Sequence, residues 1–191
     1  MGATMPTEDS ELLRQLAKGN QSAFTALYER FQGPMYRFAW HMSGKREVAE
    51  EVTQEVFLRL IASPSKYDPA KGSLGGYLFG IARNVVRSQI EQTYLDLPFS
   101  DEMVDVDEAG LVDDSDVLAQ FDHREMLDRL RKSVLALPEP YRAVVVLCDM
   151  EEMSYEEAGA ILQSPPGTVA SRLHRARAML KGRLKEMGCM R

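Results

Sequence analysis

Six basic side chains, Arg172, Arg175, Arg177, Lys181, Arg183 and Lys185, fall within one short stretch near the end of this 191-residue sequence. Between them Val169, Leu173, Ala176, Leu180 and Leu184 recur at i, i+4, i+7, i+11 and i+15. That is the period of a helix with one apolar face turned to a core. Thr168, Ser171, Arg172 and Arg175 then face away from it near the helix start, and His174 stands among them. Hydroxyls and guanidinium groups so placed can hydrogen-bond base edges and hold phosphates. Arg177, Lys181, Arg183 and Lys185 carry the positive charge on along the helix. Taken alone, such a helix is either a nucleic-acid reader or a solvated basic face. The residues before it favour the reader. Ser154 and Glu157 have the S-x-x-E spacing of a capping box at the start of a short helix. Pro165-Pro166-Gly167 then forces a turn. A short capped helix, a tight turn and a longer basic helix make a helix-turn-helix.

Other chemistries find little support. His41, His123 and His174 are scattered, and no carboxylate pair has a plausible catalytic partner. The glycines of residues 72–80 lack the G-K-[ST] of a phosphate loop. Gly75-Gly76 reads instead as a close-packing or turn feature. Cys148 follows the apolar run 143–147 and reads as a buried structural thiol. Neither it nor Cys189 has a C-x-x-C neighbour, so no disulfide framework or zinc site is expected. The expectation is a non-enzyme with no catalytic residue, metal, cofactor or small-molecule substrate. No stretch approaches the roughly 20 apolar residues of a membrane span. Residues 1–11 are polar and acidic, without the apolar core of a signal peptide, which places the chain in the cytoplasm.

The elements that would position these groups are helical throughout, with no convincing period-2 strand. Helices are predicted over residues 8–18, 20–31 and 35–42, the last two separated or bent at Gly33-Pro34. Others follow at 47–61, 73–93, 116–136, 141–149, 154–162 and 168–187. Phe31, Phe38 and Trp40 have the spacing of core residues. A loop holds Ser63-Pro64, Asp68-Pro69 and Gly72, and Pro138 and Pro140 mark a later break. The formal charge of −6 is unevenly spread: residues 1–95 carry +1, residues 96–128 carry −11 and residues 129–191 carry +4. The acidic middle has no steady apolar periodicity and cannot bury enough surface to order itself. The expected fold is therefore all-α, with two small helical domains (1–95 and 122–191) joined by a flexible acidic linker (96–121). The second domain contains the helix-turn-helix.

Leu137-Pro138, Tyr141-Arg142 and Leu147 come before Ser154-Tyr155-Glu156-Glu157-Ala158, and the run Gly167-Thr168-Val169-Ala170-Ser171-Arg172-Leu173-His174-Arg175-Ala176-Arg177 completes a pattern. Together they resemble the C-terminal domain of the extracytoplasmic-function (ECF) sigma factors of bacterial RNA polymerase. Ala170 stands where that family usually carries Lys or Arg. In the first domain, Ala49-Glu50-Glu51-Val52-Thr53-Gln54-Glu55-Val56-Phe57 resembles the family's polymerase-binding signature. By that resemblance Glu51, Gln54, Glu55 and Leu58 would dock on the coiled coil of the largest polymerase subunit. Tyr67-Asp68-Pro69, Gly72-Ser73, Tyr77-Leu78 and Ile81-Ala82-Arg83-Asn84 resemble its promoter-melting segment. Lys66, Tyr67, Lys71, Tyr77, Arg83, Asn84 and Arg87 would then meet the minus-ten element, with aromatic faces for stacking and cations for single-strand phosphates. Tyr77 replaces a usual Trp, Gly75-Gly76 replaces a site often basic, and residues 88–92 replace an Asp followed by a basic tract. Thr168, Ser171, Arg172, His174 and Arg175 would read the minus-thirty-five element.

The resemblance implies an alternative sigma factor whose partners are core RNA polymerase, promoter DNA and an anti-sigma factor. Two other readings stand beside it. A stand-alone helix-turn-helix regulator would leave the signature of residues 49–57 unexplained. A sigma mimic that only sequesters an anti-sigma protein would fit the non-basic residues 88–92, but not Arg172 and Arg175. On a promoter the two elements lie on the order of 50 Å apart. Residues 96–121 would reach roughly 86 Å fully extended but average about 28 Å as free coil. The linker would therefore be stretched when both elements are held.

Overall fold

The computed structural model describes residues 6–96 and 117–186, with side chains for residues 8–92 and 126–186. Eight α-helices are present among them and no strand. In the first half α1 spans Pro6–Ala17, α2 Gln21–Ser43, α3 Arg46–Ala62 and α4 Leu74–Asp96. Two 3-10 turns, Pro64–Lys66 and Pro69–Lys71, connect α3 to α4. The second half holds α5 (Val117–Leu135), α6 (Glu139–Val145), α7 (Tyr155–Leu162) and α8 (Pro166–Glu186). A π-helical turn, Val146–Met150, continues α6. Most of the predicted acidic linker lies outside the described residues, and α5 begins within its last part.

α2 runs through Gly33-Pro34 as one helix, so of the two expected alternatives, separation or a bend, separation does not occur. Pro34 removes one backbone donor, but Leu27, Met35, Phe38, Ala39 and Met42 are buried on both sides of it. Both ends are also fixed. The Asn20 side chain accepts from the Ser22 and Ala23 amides, and Gly44, at φ 75°, donates to Trp40 O. Continuous packing and two caps outweigh one lost hydrogen bond. α3 and α4 lie against α2 and against each other, and Val52, Val56, Leu60, Leu74, Leu78 and Ala82 fill the space between. Of the predicted core aromatics, Phe38 is fully buried, while Phe31 and Trp40 are half-buried. Pro140 lies in the first turn of α6, where its missing donor is tolerated, so that helix begins at Glu139.

The two halves touch, and their buried side chains form one continuous cluster. α4 packs on α7, and α2 packs on α5, α6 and the π turn. Arg142 of α6 donates to Met42 O of α2 and to Leu135 O and Leu137 O of its own half. Arg37 is paired with Glu151 at 3.0 and 3.2 Å, and the Arg131 guanidinium lies 4.3 Å from the Trp40 ring centroid. A Cβ on Gly44 would stand 3.0 Å from the Leu135 side chain.

His41 lies in this contact. Burial, and then the charges of Arg131 and Arg37, lower its pKa from 6.5 to about 4. Glu151, paired with the same Arg37, is raised by burial against the opposing pull of that arginine. The folded chain thus holds His41 neutral where the unfolded chain would protonate it. Stability should therefore fall as the pH drops from about 6.5 towards 4. Glu151 opposes this trend, because the folded state takes up its proton more readily. Thermal unfolding followed across that range should have a shallower slope in His41→Gln than in wild type. Equal slopes would remove His41 as the cause.

Candidate nucleic-acid interface

Helix α8 presents two faces, as its residue pattern requires. Val169, Leu173 and Ala176 are buried, and Leu180 and Leu184 are half-buried. Ser171, His174 and Arg175 are exposed, while Thr168 and Arg172 are half-buried. Arg172 reaches back to the Ser164 hydroxyl at 3.4 Å. The capping box at Ser154 is complete: its Oγ accepts from the Glu157 amide, and the Ser154 amide donates to the Glu157 carboxylate at 3.0 Å. The turn differs from the predicted Pro-Pro-Gly. Gln163, at φ 52°, carries the left-handed residue, and Pro166 is already in α8 because its fixed φ suits a helix start. The turn is held tightly against α7. Ser164 N donates to Gly159 O at 2.9 Å, and a Cβ on Gly159 would stand 2.7 Å from Ser164 O.

The positive charge beyond the first turns of α8 is partly committed inside the fold. Arg177 forms a two-bond pair with Asp149 of the π turn, at 2.5 and 3.1 Å, which opposes the expectation of a free cation there. Arg183 donates to Ala136 O at 3.2 Å. These bonds orient α8 against α5 and the π turn. They leave Arg175 as the exposed guanidinium near the helix start that has no ion pair among the described residues. Cys148 is half-buried and its thiol is pushed up by burial and then by Asp149, which makes it a poor nucleophile.

In the first half, Glu51, Gln54 and Leu58 are exposed on α3 and Glu55 is half-exposed. They line one wall of a groove of about 410 Å³ whose other wall is Asn84, Val85, Ser88 and Gln89 of α4. Gln89 donates to Glu51 at 2.9 Å, and Arg59 to Glu55 at 2.6 Å. The non-basic residues 88–92 are thus met from α3 by a carboxylate. Leu58, about half exposed, adds apolar surface to the groove.

The two tyrosines of the candidate melting segment lie against each other. Tyr67 and Tyr77 lie 5.8 Å apart, tilted by 53°, and the Tyr67 hydroxyl donates to Gly72 O at 3.0 Å. Burial, with the charges of Asp9 and Asp68, raises the Tyr67 hydroxyl. Lys66 and Lys71 are exposed beside the pair, Lys71 3.6 Å from Asp68. The remaining predicted residues are less uniform. Arg83 is half-buried, Arg87 is paired with Glu91 at 2.8 Å and feels Glu139 of the other half, and Asn84 lines the acidic groove. Gly75 and Gly76 lie in the first turn of α4 and form no turn of their own. A Cβ there would meet only Phe31 at 3.5 Å and the Ser73 hydroxyl at 3.3 Å. Among the described residues no cluster of His, Cys, Asp or Glu could hold a metal ion. Nor is any described helix long and apolar enough to cross a membrane.

The first half thus carries a polar groove between α3 and α4 and a half-buried tyrosine pair, and the second a helix-turn-helix whose last helix exposes Ser171, His174 and Arg175, the arrangement of a nucleic-acid-binding class. Comparison with known proteins gives the family. Residues 27–94 match the model of Sigma-70 region 2, and residues 127–180 match that of Sigma-70 region 4. The chain is 36% identical over 172 residues to the ECF RNA polymerase sigma factor SigE of Mycolicibacterium smegmatis, covering 86% of this chain and 64% of that one. It is 29% identical over 182 residues to the ECF RNA polymerase sigma factor SigW of Bacillus subtilis, covering 92% and 96%. Among solved structures, CnrH in complex with the cytosolic domain of CnrY has a TM-score of 0.68 at 26% identity, covering 93% of this chain and 97% of that one. The sigma factor RpoE of Bartonella quintana, solved with the anti-sigma factor NepR, shares the fold, with a TM-score of 0.64 at 24% identity over 85% and 96%. The chain belongs to the sigma-70 family, in its ECF branch, and is a transcription-initiation factor.

Proposed function

We propose that this alternative sigma factor divides its work as its two halves divide the surface chemistry. Residues 1–95 bind core RNA polymerase and the minus-ten element, and residues 122–191 read the minus-thirty-five element. Glu51, Gln54, Glu55 and Leu58 supply the polymerase surface. Lys66, Tyr67, Lys71, Tyr77, Arg83, Asn84 and Arg87 supply the strand-melting surface. Thr168, Ser171, Arg172, His174 and Arg175 supply the upstream-reading surface. The observation that carries this reading is the exposed edge of α8, where Ser171, His174 and Arg175 stand opposite the buried Val169, Leu173 and Ala176. The protein acts in the cytoplasm by recognition and not by catalysis, and an anti-sigma factor is its regulator. Support for that partner is the likeness to CnrH, solved with the cytosolic domain of CnrY. The stand-alone regulator remains the less economical reading, since it gives the groove beside Glu51 no purpose.

The groove carries the first test. Glu51→Ala with Gln54→Ala, or Glu55→Lys alone, removes acidic and polar surface from an exposed wall while leaving Val52, Val56 and Leu60 buried. Affinity for core polymerase should fall about tenfold or more, roughly 1.4 kcal/mol, with unchanged circular dichroism. Undiminished binding by both variants would refute the assignment of this wall. Run-off transcription with purified core polymerase tests the wider reading, because a stand-alone regulator would bind promoter DNA without supporting initiation.

A further inference from the structure

Helix α1 precedes the segment matched by the family model, which begins at residue 27. Its inner face repeats at Asp9, Leu13 and Leu16, the i, i+4, i+7 spacing of a buried stripe. Leu13 and Leu16 are buried as that spacing demands, and Asp9 is buried with them, only 7% exposed. A carboxylate at a core position is costly unless a partner meets it. Here the partner is Arg30 of α2, whose guanidinium binds the Asp9 carboxylate. An apolar residue of similar size would pack at least as favourably, so such a pair is better explained by geometry than by stability.

What the pair touches identifies that geometry. The Arg30 guanidinium lies 4.5 Å from the Phe31 ring centroid. Phe31 in turn abuts Gly75, in the first turn of α4, at 3.5 Å from where a Cβ would stand. Two residues further on is Tyr77, against which Tyr67 leans. From the other side, α1 packs on the 3-10 turn Pro64–Lys66 that leads directly into Tyr67. The Asp9 charge is also felt at the Tyr67 hydroxyl. The Asp9–Arg30 pair therefore backs both arms of the aromatic corner, the loop that brings Tyr67 and the helix start that brings Tyr77.

We propose that Asp9, through its buried ion pair with Arg30, is a positioning residue for the Tyr67–Tyr77 surface on which the melted promoter strand stacks. The proposal rests on the reading of Tyr67 and Tyr77 given above. Stacking of a base on an aromatic face depends on the ring's placement, which two tyrosines on a loop and a helix end do not fix by themselves. Locking α1 to α2 behind them restricts that placement before the strand arrives.

The test uses the full chain bound to core polymerase and a fluorescent single-stranded oligonucleotide spanning the non-template minus-ten element. Asp9→Leu completes the apolar stripe and keeps the helix folded without the pair, and Asp9→Asn removes only the charge. Both should bind the oligonucleotide about tenfold more weakly, with unchanged affinity for core polymerase. Asp9→Leu should also unfold at the wild-type temperature or above, which separates positioning from mere support of the fold. Exchanging the two groups, Asp9→Arg with Arg30→Asp, should recover binding to within about threefold. Wild-type oligonucleotide affinity in Asp9→Leu, while Tyr67→Ala loses affinity, would overturn the proposal and leave the melting surface intact. If Tyr67→Ala and Tyr77→Ala together bind as wild type, the melting-surface reading fails, and the proposal with it.

Discussion

Arg142→Ala should strongly destabilise this protein. The guanidinium donates to Leu135 O and Leu137 O, at the end of α5 and the break beyond it, and to Met42 O at the end of α2. Those carbonyls lie at helix C-termini and the break after α5, where no further helical amide follows to reach them. Alanine leaves acceptors on the buried Met42 and Leu137 and the half-buried Leu135 with nothing in exchange, and a hydrogen bond from a charged donor contributes roughly 1.5–3 kcal/mol. A loss of about 3–5 kcal/mol is the expected scale for breaking such a partly buried charged network. Lysine should not rescue it, because one compact ammonium cannot span three acceptors as the planar fork does. The same side chain joins the two halves, so the variant should also loosen their contact. Urea denaturation of the full chain measures the first effect, and small-angle scattering in native buffer measures the second as a larger radius of gyration. A wild-type midpoint together with a wild-type radius would show that the arginine fork does neither.

How far the sequence leads can be seen in the residues themselves. Periodicity located α3 and α8 well, because their apolar stripes, Val52-Val56-Leu60 and Val169-Leu173-Ala176, become core positions. The capping box at Ser154 was legible because both partners are local. Pro34 left separation and bending both open, since a proline's local cost is visible in sequence and the packing that keeps α2 continuous, around Met35 and Phe38, is not. Nor was the pairing of Arg177 with Asp149, 28 positions away, or the reach of Arg142 across 100 positions to Met42. Long-range polar partners leave no periodic trace. Asp9 is an intermediate case, since an acidic residue in an i, i+4, i+7 stripe with Leu13 and Leu16 is a signal that the residue pattern itself carries, while its partner Arg30 is not. The closed contact between the halves was likewise unforeseen.

Arg175→Ala should weaken recognition of the upstream element without unfolding the domain, because Arg175 is exposed while the neighbouring Leu173 and Ala176 hold α8 in place. The side chain is free to serve DNA in a way that its neighbours are not. Arg172 is half-buried and reaches to Ser164, Arg177 is paired with Asp149, and Arg183 is tied to Ala136 O. If Arg175 pairs with a guanine edge, its loss should cost roughly 1–3 kcal/mol and relax preference at one upstream position. If it holds a phosphate, affinity should fall evenly across sequences and the slope of log affinity against log salt should drop by about one. In that case Ser171 and His174, exposed on the same edge, are the specificity residues, and their alanine variants should change the preferred base. Transcription from a randomised upstream library, read for each single variant with core polymerase, separates the two outcomes, and a salt titration of holoenzyme binding measures the slope. Arg177→Ala is the control for a purely structural effect: it breaks the Asp149 pair and should lower stability while leaving base preference unchanged. Should Arg175→Ala change neither preference nor slope, while Lys181→Ala with Lys185→Ala changes both, the DNA-reading edge lies further along α8 and the assignment of its first turns is wrong.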